Sequence, residues 1–254
     1  MKPTFFPKER ANETSSAIEH VQISLKRKGC PEGTVPIRRT SKEDLLRARA
    51  LSRDFSTINF SRSKKHFPGQ LIVDVNYAES QLIHGASAEI TLNNPIVNPS
   101  QYTNAQIWIN GGPTENPNYI MAGWTDRDTG NWWLSLGKGE AHIGYWPKSL
   151  FSYLADGADS VSWGGLAKAD SNGVGPPMGS GLFSNNYYSS FFNRIEFVNG
   201  LYNLAYPPNR KSVRIREDSA KCYDLHFVDY SPTYGTNFRF GGPGGLDCTY
   251  LCSP

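Results

Sequence analysis

Few side chains in this sequence are placed for catalysis by a nucleophile. The motif G-x-S-x-G, in which a sharp turn exposes a reactive serine, does not occur, and the G-S-G triplet at 179–181 follows no clear strand. His84, His142 and His226 show no metal-ligand spacing with the cysteines, so we expect no bound metal and no cofactor.

Three acidic residues are candidates for proton transfer, because a carboxyl group can give or take a proton in general acid–base chemistry. Glu89 alternates with apolar neighbours and is predicted to face solvent, whereas Glu140 lies in a glycine-rich turn. Asp126 precedes Arg127 in a short connection and is predicted to be a turn residue. Each position favours a structural role over a catalytic one.

Aromatic side chains could form a ligand-binding surface, because flat apolar rings stack on proline or sugar rings. Of the adjacent pair Trp132 and Trp133, one is predicted to point into the core and the other away, since side chains alternate along a strand. Core packing is the simpler role for most of these residues. The candidates for a binding cleft are Trp124, Trp133, Tyr145, Trp146 and Trp163.

Strand patterns dominate from Gln70 onward, as short apolar or alternating runs separated by Gly, Pro, Asn and Asp. They predict an all-β fold, an antiparallel β-sandwich. Helical patterns occur only at 41–51 and 149–158. The predicted strands are 70–76, 86–92, 105–110, 118–124, 131–137, 141–146, 159–165, 191–198, 222–229 and 238–242.

Seven motifs follow one another in a fixed order along most of the chain. They are KGCPEGTVPIRRTSKEDLLRA (28–48), YIMAGW (119–124), TGNWWLSLG (129–137), IGYWPKSLF (143–151), VSWGG (161–165), PPMGSG (176–181) and FRFGGPGG (238–245). Together they resemble the plant neprosin family. The resemblance implies an activation-peptide-like segment over 1–65 and a β-sandwich domain of catalytic type over 66–254. It also implies descent from secreted glutamic peptidases that cleave after proline.

The resemblance implies that both catalytic groups are missing. In the family pattern one glutamate precedes the A-G-W triplet and another follows W-G-G, but these positions hold Met121 and Leu166 here. Neither side chain exchanges a proton or holds a negative charge, so packing is the expected role of both. We therefore expect a catalytically inactive neprosin-like protein. The alternative is an active prolyl endopeptidase that uses other carboxylates.

A second departure from the family is a shortened connection. Family members carry several further strands between A-G-W-T and the D-x-T-G-N-W-W-L motif, whereas Thr125 is followed at once by Asp126 here. An internal deletion at 125–126 is expected to leave unpaired strand edges and a poorly stable domain. A third interpretation follows from this deletion: the sequence is a mis-spliced or pseudogene product without an independent function.

The cysteines and sequons bear on the cellular compartment. A disulfide is predicted between Cys222 and Cys248, where closing the loop would stabilise the fold by roughly 3 kcal/mol, and the pairing of Cys30 and Cys252 stays open. Asn12 and Asn59 begin glycosylation sequons. The resemblance implies an extracellular protein, although the first residues contain no apolar stretch of the kind a signal peptide needs.

Charge is divided unevenly along the chain. Residues 1–65 contain 15 Lys and Arg against 7 Asp and Glu, net +8, and the remainder contains 11 against 16, net −5. The basic residues are scattered and not interleaved with stacking aromatics, which favours an intramolecular cover over nucleic-acid binding. No apolar run is long enough to span a membrane. The expected partner is a proline-containing peptide or a cell-wall ligand, with no nucleic acid and no membrane.

Overall fold

The computed structural model describes residues 3–7, 69–113, 118–120, 122–136, 141–246 and 248. These residues form thirteen β-strands, all paired antiparallel, with two short 3-10 turns, which confirms the predicted all-β fold. The helix predicted at 41–51 lies outside the described residues, and the boundary between 1–65 and 66–254 stays a prediction. In the described part of the chain no helix has the length and hydropathy needed to cross a membrane.

The first sheet contains five strands. They are β1 (Gln70–Ile83), β3 (Tyr102–Gly111), β4 (Asn118–Ile120), β8 (Ala158–Lys168) and β11 (Val213–Glu217). Their order across the sheet is β11-β1-β8-β3-β4. The central strand β8 therefore pairs on one side with β1 and on the other with β3.

The second sheet contains eight strands. They are β2 (Gly85–Ile90), β5 (Gly123–Thr125), β6 (Trp132–Leu136), β7 (Ala141–Trp146), β9 (Ser190–Val198), β10 (Leu204–Ala205), β12 (Asp224–Ser231) and β13 (Gly235–Gly241). Seven of them run in the order β12-β13-β9-β2-β5-β6-β7, and β10 pairs with β9.

The main core lies between the two sheets. In β1 the alternating residues Leu71, Val73 and Val75 point into this core, so Asp74 and Asn76 lie on the opposite, outer face of the sheet. The second sheet contributes large rings, including Phe192 and Phe238, which stack with their centroids 4.9 Å apart. Burial of these large apolar side chains is the main force that holds the two sheets together.

The predicted strand at 118–124 is two strands that belong to different sheets. β4 pairs with β3 in the first sheet, whereas β5 pairs with β2 and β6 in the second. The chain crosses between the sheets at Ala122 (φ 155°) and Gly123 (φ 128°), and a Cβ on Gly123 would overlap the carbonyl oxygen of Trp133. Met121, which precedes this crossing in the sequence, lies outside the described residues.

The shortened connection closes as a hairpin. Trp124 pairs with Trp133 across β5 and β6, and the Asp126 carbonyl accepts a hydrogen bond from the Gly130 N–H at 2.7 Å. Asp126 is thus a turn residue, as predicted. Because β5 has a hydrogen-bonded strand on each side, the described sheet has no gap at the junction. The low stability expected from the deletion stays a prediction.

The helix predicted at 149–158 is wrong. Only a 3-10 turn forms, at Lys148–Leu150, and the chain then bends irregularly until β8 begins. The reason is a tertiary contact: Leu154 is fully buried, and its carbonyl accepts a hydrogen bond from Trp132 Nε1 at 2.8 Å. Burial of Leu154 and its bond to a core tryptophan favour this irregular path over the helix that the local pattern predicts.

The predicted disulfide between Cys222 and Cys248 is present and buried in the main core. Next to it, the Tyr223 hydroxyl donates to the Pro176 carbonyl at 2.7 Å. The bridge spans 26 residues and fastens the segment that follows β13 to the start of β12. Cys30 and Cys252 lie outside the described residues.

Candidate functional site

Leu166 lies on the outer face of the five-stranded sheet, in the central strand β8. It is fully buried and packs with Ile72 and Trp108 in a small apolar cluster that is separate from the main core. Tyr102 packs against the same cluster. The position that the motif resemblance assigns to a catalytic acid, an assignment that stays a prediction, therefore has an apolar side chain in an apolar setting.

The glycine two residues before this position, Gly164, has no space for a side chain between β8 and β1. A Cβ on Gly164 would overlap the Val73 carbonyl oxygen and would lie 2.8 Å from the Cβ of Asp74. Gly164 pairs directly with Asp74 in the sheet register. The W-G-G sequence thus leaves room on this face for the side chain of Asp74.

Asp74 is a carboxyl that the sequence reasoning missed. It is only 5% exposed, and burial raises its pKa to about 6, although Arg216, a hydrogen bond with Ser162 and Arg214 act to lower it and the Asp218 charge adds to the increase. Buried carboxyls that hold a proton near neutral pH are typical of acid–base sites. The available signal was the alternation in QLIVDVN, which places an acid in the middle of an apolar strand.

Asp74 and Leu166 are diagonal neighbours on this face. Asp74 is opposite Gly164, and Leu166 is opposite Ile72, so their Cβ atoms are about 7 Å apart. On the far side of Gly164 stands Gln106 of β3. An acid, Asp74, and an amide, Gln106, thus lie on either side of Gly164. Leu166 is the next residue of β8 on the same face of the sheet.

A row of amide side chains continues along β3 on the same face. Asn104 Oδ1, Gln106 Nε2 and Asn110 Oδ1 are buried and have no hydrogen-bond partner among the described residues. An unpaired buried polar atom costs about 1–3 kcal/mol, so such a row is an unusual feature of a folded sheet. Peptide groups have the complementary donors and acceptors.

The predicted aromatic residues divide between two locations. Trp124, Trp133 and Tyr145 come together on the outer face of the eight-stranded sheet, where the rings of Trp133 and Tyr145 are 5.0 Å apart. Trp163 lies in the main core and donates from Nε1 to the Ser87 carbonyl at 3.1 Å, and Trp146 packs against that core. None of the five is placed in the apolar cluster of Leu166.

The alternation predicted for the adjacent tryptophans is confirmed. Trp132 is fully buried in the main core, and Trp133 belongs to the aromatic group on the other face of the same sheet. The two side chains therefore contribute to different surfaces although they are neighbours in the sequence.

The other predicted residues have structural surroundings or lie outside the described part. Glu89 is 42% exposed and forms an ion pair with Arg194 at 3.3 Å, so its predicted solvent-facing position is confirmed. Glu140, Asn12 and Asn59 lie outside the described residues. Within those residues no group of three or more His, Cys, Asp or Glu side chains is arranged to hold a metal ion.

Residues 124–243 match the family model described as Neprosin. This match supports membership of the neprosin family. The match begins at Trp124, runs across the 125–126 junction and includes Leu166, so the resemblance seen in the motifs is confirmed for most of the sandwich. Met121 and residues 1–65 lie outside the matched region.

Proposed function

We propose that this neprosin-family protein binds proline-containing peptides and does not cleave them. The observation that carries the proposal is the burial of Leu166 among Ile72 and Trp108. Hydrolysis by two carboxyls needs an acid on each side of the scissile bond, and an apolar cluster at one of these positions provides neither a proton donor nor a base. The methionine at position 121 supports the same conclusion from the sequence.

The amide row on β3 supports peptide binding. Asn104, Gln106 and Asn110 offer both acceptors and a donor, and Gln106 and Asp74 flank Gly164. These atoms are buried, so an extended peptide would have to enter between them and the groups that cover them; its N–H and C=O groups would then supply the partners that these side chains lack. Recognition through main-chain groups is a common way for β-proteins to bind peptides.

We also propose that the protein acts outside the cell. The Cys222–Cys248 disulfide supports this, because such bonds persist in oxidising compartments.

A second candidate function is acid-assisted peptide cleavage by Asp74, which its raised pKa favours. Asp218 is the nearest described candidate for a second carboxyl. Its two oxygens, however, accept hydrogen bonds from the Ile72 N–H at 2.7 Å and from Arg216 Nε at 2.6 Å. Both oxygens of this carboxylate are therefore occupied by donors of the protein itself, and neither is free to position a water molecule.

The test is to incubate the purified full chain with a fluorescent proline-containing peptide from acid to neutral pH. Binding is followed by fluorescence polarisation and cleavage by mass spectrometry, with a neprosin-family member that carries both glutamates as the positive control. We expect a bound, intact peptide. Failure to bind contradicts peptide recognition, and any cleavage contradicts inactivity. Cleavage that disappears in Asp74→Asn would establish the second candidate, whereas cleavage that persists would exclude it as well.

A further inference from the structure

Residues near the start of the chain make specific contacts with the hairpin turn between β5 and β6. The Asp126 carboxylate accepts hydrogen bonds from the Thr4 N–H at 2.5 Å, from Thr4 Oγ1 at 2.8 Å and from the Phe5 N–H at 3.1 Å. One carboxylate thus binds two successive backbone N–H groups and a hydroxyl. Charge-assisted hydrogen bonds of this kind are stronger than those between neutral groups.

Asp126 is held in place for this role. It is fully buried, and its Oδ1 atom accepts hydrogen bonds from the Asp128 N–H at 3.1 Å and the Thr129 N–H at 2.9 Å. Burial opposes ionisation, but the hydrogen bonds from Thr129, Thr4 and Phe5 outweigh it and lower the pKa of Asp126 to about 2. The carboxylate is therefore charged and fixed by its own turn.

Ring contacts and one hydrogen bond hold Phe5, the residue that follows Thr4. The Phe5 ring meets Tyr202 edge to face at 5.6 Å, and the Arg127 guanidinium lies 4.6 Å from its centroid. Trp124 Nε1 donates to the Phe5 carbonyl at 3.4 Å.

Phe6 has a separate position on the same surface. Its ring lies 5.3 Å from His142 and 5.9 Å from Trp124, and 47% of the residue stays exposed. The His142 ring is itself oriented by a hydrogen bond between its Nδ1 and Ser135 Oγ at 2.8 Å.

The segment lies on this surface as a ligand would. None of residues 3–7 belongs to a β-strand, and 118 residues separate Phe5 from Trp124 in the sequence. The described contacts come from side chains of the sandwich, so the sheet keeps all of its own hydrogen bonds when the segment leaves. The surface is also on the opposite side of the sandwich from Leu166.

We propose that Trp124, Asp126, Arg127, His142 and Tyr202 form a peptide-binding site for extended segments with a hydroxyl residue followed by two aromatic residues. Residues 4–6 are its built-in ligand, and a free peptide of the same class, presented by a partner protein, replaces them. Asp126 accepts hydrogen bonds from the hydroxyl and the two N–H groups of the segment. The rings of Trp124, His142 and Tyr202 pack against its aromatic pair. This site does not depend on the proposed function of the five-stranded sheet.

The test measures binding of a fluorescent peptide, Pro-Thr-Phe-Phe-Pro with blocked ends, to the full chain. The double variant Thr4→Val/Phe5→Ala weakens the built-in ligand, so it should bind the peptide about tenfold or more tightly than the wild type does. Adding Asp126→Asn should reduce this binding about tenfold or more, because an amide nitrogen replaces an oxygen that accepts N–H groups while the turn keeps its other acceptor. The control Glu89→Gln removes one negative charge from a residue that pairs with Arg194 and belongs to none of these contacts, so it should leave binding unchanged.

A change in the peptide keeps the test valid if the Asp126→Asn variant does not fold. Pro-Val-Ala-Phe-Pro should bind the double variant about tenfold or more weakly than the parent peptide. Equal binding of the two peptides would overturn the proposal. Equal affinity of the parent peptide for the wild type and the double variant would also overturn it, as would binding that Asp126→Asn does not change in a folded protein.

Discussion

Replacing Leu166 by glutamate is expected to destabilise the domain by about 4 kcal/mol at pH 7 rather than to create a peptidase. The new carboxyl would enter the apolar cluster of Ile72 and Trp108, where burial raises a carboxyl pKa. Its folded-state pKa would then exceed the unfolded value, so the extra cost appears as the pH rises above about 4. Urea unfolding at pH 4 measures the cost of losing the leucine, and unfolding at pH 7 adds the cost of the buried charge. We expect a loss of about 2 kcal/mol at pH 4.

Two further variants separate charge from shape. Leu166→Gln has the same size as the glutamate and cannot ionise, so its destabilisation should be the same at both pH values. Leu166→Met conserves volume and polarity and should cost less than about 1.5 kcal/mol. If Leu166→Glu is as stable as the wild type at pH 7, the position is hydrated, and the physical basis for proposing inactivity is lost.

The second large effect is expected at Asp74, where replacement by asparagine should stabilise the protein at neutral pH. Burial raises the folded-state pKa of Asp74 to about 6, above its ordinary value. Its contribution to stability is therefore fully present below about pH 4 and is lost as the pH rises through 6. Asparagine does not titrate, so the variant should gain about 3 kcal/mol relative to the wild type between pH 4 and pH 7.

The comparison requires unfolding free energies at several pH values. A suitable control is Asp156→Asn, because this exposed carboxyl pairs with Lys148 at the surface and should contribute less than about 1 kcal/mol at any pH. A difference between wild type and Asp74→Asn that stays constant from pH 4 to pH 7 would contradict a raised pKa. A variant that loses stability as the pH rises would instead show that Arg216 holds Asp74 in its charged form.

Local sequence patterns predicted the strands well but not the points where the chain changes sheet. The apolar run around Val73 predicted a strand at 70–76, which is the first half of β1, because strand patterning is a local property of the sequence. The run at 118–124 reads as one strand because nothing local shows that Ala122 and Gly123 turn the chain from one sheet to the other. The helix predicted at 149–158 was wrong for a related reason. Leu154 binds Trp132, which lies on another strand, and no local pattern shows this contact.

The candidate site was predictable only in part. The motifs identified the position of Leu166, and strand alternation correctly separated Trp132 from Trp133. The role of Asp74 depends on burial and on charges from β11, which no local pattern reveals. Asp126 was predicted as a turn residue, but its bonds to Thr4 and Phe5 join parts of the chain that are far apart in sequence.

The turn that joins β5 to β6 makes this protein a natural host for inserted modules. Its two ends enter neighbouring strands, which lie about 4.8 Å apart, so a segment with closely spaced ends can be placed there without moving either strand. Lengthening a flexible connection is also inexpensive, at about 0.6 kcal/mol for each doubling of its length. A compact domain grafted after Asp128 is expected to leave the strand register unchanged, although it would separate Asp126 from Thr129 and Gly130 and break the hydrogen bonds of this turn.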